Sequence, residues 1–261
     1  MEVTFLTVPF RLKFFRMGIA NVNSPRVREL YTSIPSFAKA IDVIEAGISL
    51  YCADAKPDSP VDDSTLDLDR ILIAFNGGKD CTVLLHMVLL AIRGLRSTTG
   101  RIRLMYIRDD PMDTFTEVDE FVEEVKTKYS LEAIEVRSGD MRYALEQIVA
   151  DHPEVRAIFM GTRATDPNAK WMDYFCQTSP GWPKINLVAP ILGMSYSEVW
   201  QVIHGLSIEY CSLYSRGYTS IGKRSTTSPN PELAIKGEHG EIQYSHADQL
   251  TDDSKERLGR L

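Results

Sequence analysis

The stretch Ile71–Leu85, Ile-Leu-Ile-Ala-Phe-Asn-Gly-Gly-Lys-Asp-Cys-Thr-Val-Leu-Leu, constrains the fold more than any other. An apolar run of strand type, Ile71 to Phe75, stops at the glycine pair Gly77-Gly78. Val83, Leu84, Met87, Val88 and Ala91 then recur at the spacing of a buried helix face. Strand, glycine turn and helix in succession put backbone N–H groups at a helix N-terminus, whose unpaired donors and partial positive charge suit phosphate. The glycines let the chain turn tightly and let a bulky anion approach the backbone. Lys79 is expected to add a mobile charge. The loop is neither a Walker A loop nor the G-x-G-x-x-G dinucleotide pattern. The Asn, Lys and Asp around it argue against a turn that merely joins a strand to a helix.

A chain of 261 residues, 44% apolar and 25% charged, has ordinary globular composition and suits one large domain or two small ones. A formal charge of −7 gives no bulk attraction to nucleic acid or anionic membrane, so any anion site must be local. No apolar run approaches the roughly 20 residues that span a bilayer. Cys52, Cys81, Cys176 and Cys211 lie far apart, which excludes a zinc ribbon and predicts reduced thiols in a reducing, cytoplasmic compartment. The first 17 residues are apolar and aromatic, with Arg11, Lys13 and Arg16. That composition suits a mitochondrial presequence, or an N-terminal strand or arm, and the second reading is favoured.

Taken in order, Ser24-Pro25 reads as an N-cap and first helical position, and Pro35 must break or kink the helical run that follows. Residues 53–69 read as a polar loop. Beyond the helix that follows the glycine turn, Arg96–Gly100 reads as a turn and Arg101–Ile107 as a strand. Phe115–Tyr129 is an amphipathic helix, Leu131–Val136 a strand, Met141–Ala150 a helix and Ala157–Met160 a strand. This alternation predicts an α/β fold with a doubly wound, mostly parallel sheet, flanking helices and right-handed crossovers. Ligands in such sheets lie at the carboxyl ends of strands. The candidates are therefore Asn76–Asp80, Arg108–Asp110, Arg137–Asp140 and Gly161–Asp166.

After Asp166 the periodicity weakens. Ile185–Leu192 is a short apolar segment, and Ser195–Ile203 a helix capped by Ser195 or Ser197, with Trp200 as a core residue. Residues 223–255 read as a loop or mobile tail, and Ser254–Leu261 places Arg257 and Arg260 three apart on one helical face. The expected division is an arm at 1–23, the α/β domain at 24–225, and a C-terminal loop and tail at 226–261.

The loop Asn76-Gly77-Gly78-Lys79-Asp80-Cys81 resembles the pyrophosphate-binding loop of ATP pyrophosphatases, usually Ser-Gly-Gly-x-Asp-Ser. Further motifs narrow the likeness. They are Tyr106-Ile107 with Phe115-x-Glu117, Gly161-Thr-Arg-Ala-Thr-Asp-Pro167, Gly181-Trp-Pro183, Tyr210-Cys-x-Leu-Tyr214, Gly217-Tyr-Thr-Ser-Ile-Gly222 and Asn230-Pro231, with an echo at Glu256-Arg257-x-Gly259-Arg260. In that order they are similar to eukaryotic FAD synthases, FMN adenylyltransferases of the PAPS reductase-like family. The resemblance implies transfer of AMP from ATP to FMN, giving FAD and pyrophosphate with Mg²⁺. It also implies apo-flavoproteins as candidate recipients of the FAD.

The resemblance assigns Phe75, Asn76, Gly77, Gly78, Lys79, Asp80 and Arg163 to the ATP phosphates. Tyr106 and Ile107 would line the adenine slot through backbone contacts, and Tyr218, Thr219 and Ser220 would hold substrate phosphate or ribose. Asp80 suits either a helix cap or an Mg²⁺ ligand. Asp166 is the stronger metal candidate, its alternative being a turn residue before proline. Arg257 and Arg260 match tail arginines that reach back over the phosphates, where a planar, permanently charged fork is apt. On the FMN side stand Arg163, Ser179, Trp182 and Tyr218. Ser179 occupies a position where the family carries a flavin-contacting aspartate, so it offers a hydroxyl but no charge. Trp182 would pack on the flavin or fill a corner of the core. A PAPS reductase needs a C-terminal Glu-Cys-Gly-x-His stretch, and no cysteine follows residue 223. A ligase or thiolase of the same superfamily carries serines where this chain has Asn76 and Cys81. A non-catalytic flavin or nucleotide sensor is the alternative from another class.

Overall fold

Proline sets the first two helices. In the computed structural model, which describes residues 24–53, 65–95, 97–108, 113–167, 169–237 and 241–261, α1 (Pro25–Ser33) and α2 (Pro35–Cys52) each start on proline at the first turn. A missing N–H costs nothing there. Pro35 thus divides the helical run as expected, although Ser24 occupies the cap position without a side-chain cap bond. The arm before Ser24, most of the 53–69 loop and the Asp110-Pro111 strand end lie outside the described residues.

Two short elements correct the reading of loops. Leu66–Asp67 (β1) pairs in parallel with Thr98–Thr99 (β3), within segments expected to be loop and turn. Strands of this length are too short to show alternation. The principal sheet is built from β2 (Ile71–Ala74), β4 (Arg103–Arg108), β5 (Glu132–Arg137), β6 (Ala157–Phe159), β7 (Phe175–Gln177) and β8 (Asn186–Val188). Its order is β5-β4-β2-β6-β8-β7. All neighbours run parallel except the edge strand β7, which is antiparallel to β8. Four of these strands are the expected ones; β8 lies within the expected apolar segment, and β7 was not foreseen.

From β2 the chain winds outward through α3 (Lys79–Ile92) and α4 (Thr116–Tyr129) to β5. It then returns through α5 (Met141–Asp151) to β6, on the opposite side of β2. The reversal puts the helices on two faces. Ile71 and Ile73, Leu104 and Tyr106, and Ala157 and Phe159 pack into the larger core with α1–α4 and with α6 (Tyr196–Leu206). Leu72, Met105 and Ile158, one residue out of step, pack under α5. The crevice at a reversal of this kind, beyond the carboxyl ends of β2 and β6, is where doubly wound sheets place ligands.

The C-terminal segment is not structureless. It holds a hairpin of β9 (Ala234–Lys236) and β10 (Ile242–Tyr244), and buries Leu233, Ala247 and Leu250. Asn230, His246 and Asp252 each accept a backbone N–H from two residues on. Turns made this way leave no helical or strand period to read. Residues 254–261 form successive backbone turns, with the Leu258 N–H on the Lys255 carbonyl and the Arg260 N–H on the Arg257 carbonyl, in place of the expected helix. The end is pinned: Thr227 and Arg260 form a β-bridge, and Leu261 N–H donates to the Thr226 carbonyl at 3.0 Å.

Candidate active site

The phosphate-type loop is shaped by Gly77, whose φ of +74° lies in the left-handed region that favours glycine. Asn76 closes it. Its Oδ1 accepts the Gly78 N–H at 3.1 Å, and the Cys81 thiol lies 3.0 Å from the same oxygen. Asn76 and Cys81, the two positions where the loop departs from Ser-Gly-Gly-x-Asp-Ser, are therefore bonded to each other. Burial pushes the Cys81 thiol up to about 12, so it stays protonated and serves as a donor, not a nucleophile. The neighbouring strand end comes close enough to need glycine. A Cβ on Gly161 would sit 2.8 Å from the Cys81 backbone nitrogen.

Lys79 is not the mobile charge expected of it. It is 1% exposed, on the first turn of α3. Its Nζ contacts Asp80 Oδ2 at 3.0 Å, pairs with Glu256, and lies 4.9 Å from the centroid of the Tyr196 ring. Its backbone N–H, one of the orphan donors of a helix start, donates to the buried Tyr214 hydroxyl at 2.7 Å. The cap reading of Asp80 is corrected accordingly. Gly78 is the N-cap residue, and the Asp80 carboxylate spans Lys79 and Arg163, with Oδ1 2.8 Å from Arg163 Nε. Burial alone would raise the Asp80 carboxyl, but Lys79 and Arg163 outweigh it and hold the group below the usual range.

Arg163, also 1% exposed, pairs through Nη2 with Glu256. Burial would lower its affinity for a proton; Asp80 and Glu256 reverse that and raise it. Lys79, Arg163, Asp80 and Glu256 thus form a closed lattice of two cations and two anions. Beside it, Asp166 Oδ2 accepts the Arg163 backbone N–H at 2.9 Å and Oδ1 accepts from Arg257 Nη2 at 2.8 Å. Arg260 Nη1 donates to the Ile221 carbonyl at 2.7 Å and lies 3.2 Å from Ser220 Oγ. Burial, with Arg257 nearby, lowers its proton affinity. Thr219 Oγ1 donates to the Glu256 carbonyl at 2.6 Å.

The structure thus joins Lys79, Asp80, Arg163, Asp166 and Arg257 through direct contacts and Thr219 through Glu256, carries Asn76, Gly77 and Gly78 on the loop that leads into Lys79, and sets Arg260 against Ser220. Other sequence candidates sit elsewhere. The Phe75 side chain is core, with its N–H donating to the Met105 carbonyl at 2.9 Å. Tyr106 is buried and donates to Asp119 at 2.9 Å, while Ile107 packs on the α5 side of the sheet. Tyr218 meets Phe115 edge to face at 5.4 Å. Asp140 is spent as the N-cap of α5. Ser179 and Trp182 lie in the turn between β7 and β8; the Ser179 carbonyl accepts the Trp182 N–H at 3.1 Å, and the indole is 39% exposed. Trp200 is core, as expected.

Three site residues escaped the sequence. Tyr214 and Glu256 both stand inside motifs that carry the resemblance, Tyr210-Cys-x-Leu-Tyr214 and Glu256-Arg257-x-Gly259-Arg260, and the motif is the signal that could have found them. Tyr196, at the start of α6, carried no signal. Among the described residues, no group of three or more His, Cys, Asp and Glu is arranged to hold a metal.

The phosphoadenosine phosphosulfate reductase domain model matches residues 70–154 and 141–229. A probable FAD synthase of Schizosaccharomyces pombe is 39% identical over 201 residues, covering 75% of this chain and 73% of that protein. A probable FAD synthase of Caenorhabditis briggsae is 38% identical over 194 residues, 74% of this chain. The chain spans only 36% of the length of that nematode protein. Among solved structures, Candida glabrata FMN adenylyltransferase in complex with ATP aligns with a TM-score of 0.70 at 25% identity, over 90% of this chain and 95% of that one.

Proposed function

The chain belongs to the FAD synthase family, within the phosphoadenosine phosphosulfate reductase domain group, and from that premise we propose that it transfers AMP from ATP to FMN, releasing pyrophosphate. The observation that carries this reading is the meeting of three segments at the sheet reversal. The Asn76–Asp80 loop supplies helix-start N–H groups, the Gly161–Asp166 loop supplies Arg163 and Asp166, and the tail supplies Arg257 and Arg260.

In nucleotidyl transfer a phosphate oxygen of FMN attacks the α-phosphorus of ATP and pyrophosphate leaves. The protein's task is to hold two polyanions in line and to stabilise charge at the leaving group. The Gly77 N–H and the Asn76 side-chain amide N–H suit the phosphates, and Arg257 and Arg260 suit the charge that develops on the leaving pyrophosphate. Ser179 and Trp182, on the β7–β8 turn, are the residues we assign to the flavin ring.

The residues fit a magnesium ion held chiefly by nucleotide phosphates, which needs one or two protein carboxylates, not a full cage. Asp166 is the carboxylate suited to it, because its guanidinium partner Arg257 is itself 39% exposed and lies on the tail, whereas Asp80 is locked between Lys79 and Arg163, each 1% exposed. When bound, the ion neutralises charge on the phosphate oxygens. Incubation of purified protein with FMN, ATP and Mg²⁺, followed by chromatography, tests the proposal. FAD is the expected product. Flavin and nucleotide binding without FAD at high protein concentration would favour the sensor reading instead. Asp166→Ala is expected to abolish Mg²⁺-dependent turnover with the fold retained, and a wild-type rate would reduce Asp166 to a turn residue.

A further inference from the structure

Glu256 has no part in the reaction as proposed, yet the closed arrangement depends on it. It lies in the tail, is 6% exposed, and divides its two carboxylate oxygens between Lys79 Nζ and Arg163 Nη2. The same cations hold Asp80 on their other contacts, at 3.0 and 2.8 Å. Two positive and two negative charges cancel, so the lattice has no net charge to offer a phosphate. That load passes to the loop N–H groups and to Arg257 and Arg260.

The backbone of Glu256 is fixed as well. Its carbonyl accepts from Thr219 Oγ1 at 2.6 Å, and Asn230 Nδ2 donates to Thr219 Oγ1 at 2.8 Å and to the Lys255 carbonyl at 2.9 Å. Thr219 and Asn230 are both buried. Arg257 follows immediately, with its guanidinium on Asp166. Glu256 is therefore the point at which the tail is clamped, by its side chain to Lys79 and Arg163 and by its main chain to Thr219.

We propose that Glu256 is a positioning residue, a tail carboxylate that neutralises Lys79 and Arg163 and so seats Arg257 and Arg260 over the phosphate loop. The kinetic half of this inference rests on the adenylyltransferase reading; the electrostatic half does not. Removing one member of a buried ion group leaves an uncompensated charge. In Glu256→Gln that excess is positive and lies beside the loop, so it attracts polyanions in the ground state. At the same time the tail loses its strongest tether, and the arginines needed in turnover are no longer held. The two effects have opposite signs.

The test titrates inorganic pyrophosphate calorimetrically, with Mg²⁺ throughout, into wild type, Glu256→Gln and Glu256→Asp, and measures FAD formation alongside. Glu256→Gln is expected to bind pyrophosphate about fivefold tighter or more, with greater sensitivity to salt, and to turn over about tenfold slower or more. Glu256→Asp, which keeps the charge, is expected to restore wild-type pyrophosphate affinity. A merely structural role predicts fewer competent sites with unchanged Kd and KM, and that outcome overturns the proposal, as does a wild-type Gln variant. Should Glu256→Gln fail to fold, Thr219→Val loosens the same clamp with the four charges intact. Slower turnover with no gain in pyrophosphate affinity is then expected, and wild-type turnover or tighter pyrophosphate binding overturns the proposal. If wild type makes no FAD but Glu256→Gln still tightens pyrophosphate binding, the adenylyltransferase reading falls and the charge argument stands.

Discussion

Replacing Tyr214 by phenylalanine deletes one oxygen and leaves a helix start without its acceptor. The Tyr214 hydroxyl takes the Lys79 N–H at 2.7 Å, and both residues are 1% exposed, so water cannot substitute freely. The ring itself is held by Trp200, 5.5 Å away edge to face, and by Tyr210 at 6.3 Å, contacts that phenylalanine preserves. The substitution therefore isolates the hydrogen bond. An orphaned buried N–H costs about 1–3 kcal/mol, which in a chain of this size lowers the melting temperature by roughly 2–10 °C. Urea unfolding followed by tryptophan fluorescence reads the loss directly, because Trp200 is buried against the altered ring. The midpoint is expected to fall with the m-value unchanged. Tyr210→Phe is the control: its hydroxyl pairs with His246 Nε2 at 2.9 Å in a part-buried setting, where the loss is smaller. If Tyr214→Phe unfolds within about 0.3 kcal/mol of wild type, the N–H has another acceptor and the hydroxyl does not cap the phosphate loop.

Three other perturbations probe different contacts. Gly161→Ala sets a methyl 2.8 Å from the Cys81 nitrogen and 3.0 Å from the Asp80 carbonyl carbon, backbone atoms that cannot rotate away. It is expected to cost about 1–3 kcal/mol and to slow FAD formation about a hundredfold; an effect under twofold would show that the approach of the two loops is not needed. With its thiol at about 12, Cys81 has a thiolate fraction near ~10⁻⁴ at pH 8 and is expected to resist iodoacetamide until the chain unfolds, as judged by peptide mass. Burial, and secondarily the charge of Asp42, raises Glu45 to about 7. A raised carboxyl keeps its proton in the folded state while the unfolded chain ionises, so stability falls as pH climbs from about 4.5 to 7, by no more than about 3 kcal/mol. Glu45→Gln is expected to raise the melting temperature at pH 8 and to leave it unchanged below pH 4, and an equal gain at both would point to packing.

What was legible in the sequence was local. Apolar spacing of two or three to four residues, and the Gly77-Gly78 break, gave β2, α3, β4, α4, β5, α5 and β6 nearly to their ends, and the ordered motifs gave the family that the relatives bear out. Elements of two or three residues, β1, β3 and β7, lay below the length at which a period exists. Lys79 seemed mobile because lysine usually is, and nothing within its own segment says otherwise. Its partner Glu256 is 177 residues away, and it is brought there by turns at Asn230, His246 and Asp252 whose hydrogen bonds leave no pattern.

The same distance explains why the charge of the site could not be summed from the loop alone. Gly-Gly-Lys reads as a cationic cradle, with the helix start behind it. Once Asp80 and Glu256 are set against Lys79 and Arg163, that lattice is neutral, and its cations are fixed scaffolding for the loop and the tail. Affinity for phosphate must then come from the Gly77 N–H and the Asn76 amide, since the Gly78 N–H is given to Asn76 Oδ1, and from arginines that the tail delivers. A loop built this way is governed by the tail twice over, through the carboxylate that cancels its cations and through the arginines seated beside it. Binding strength at the loop is thus a property of residues 256–260 as much as of residues 76–80.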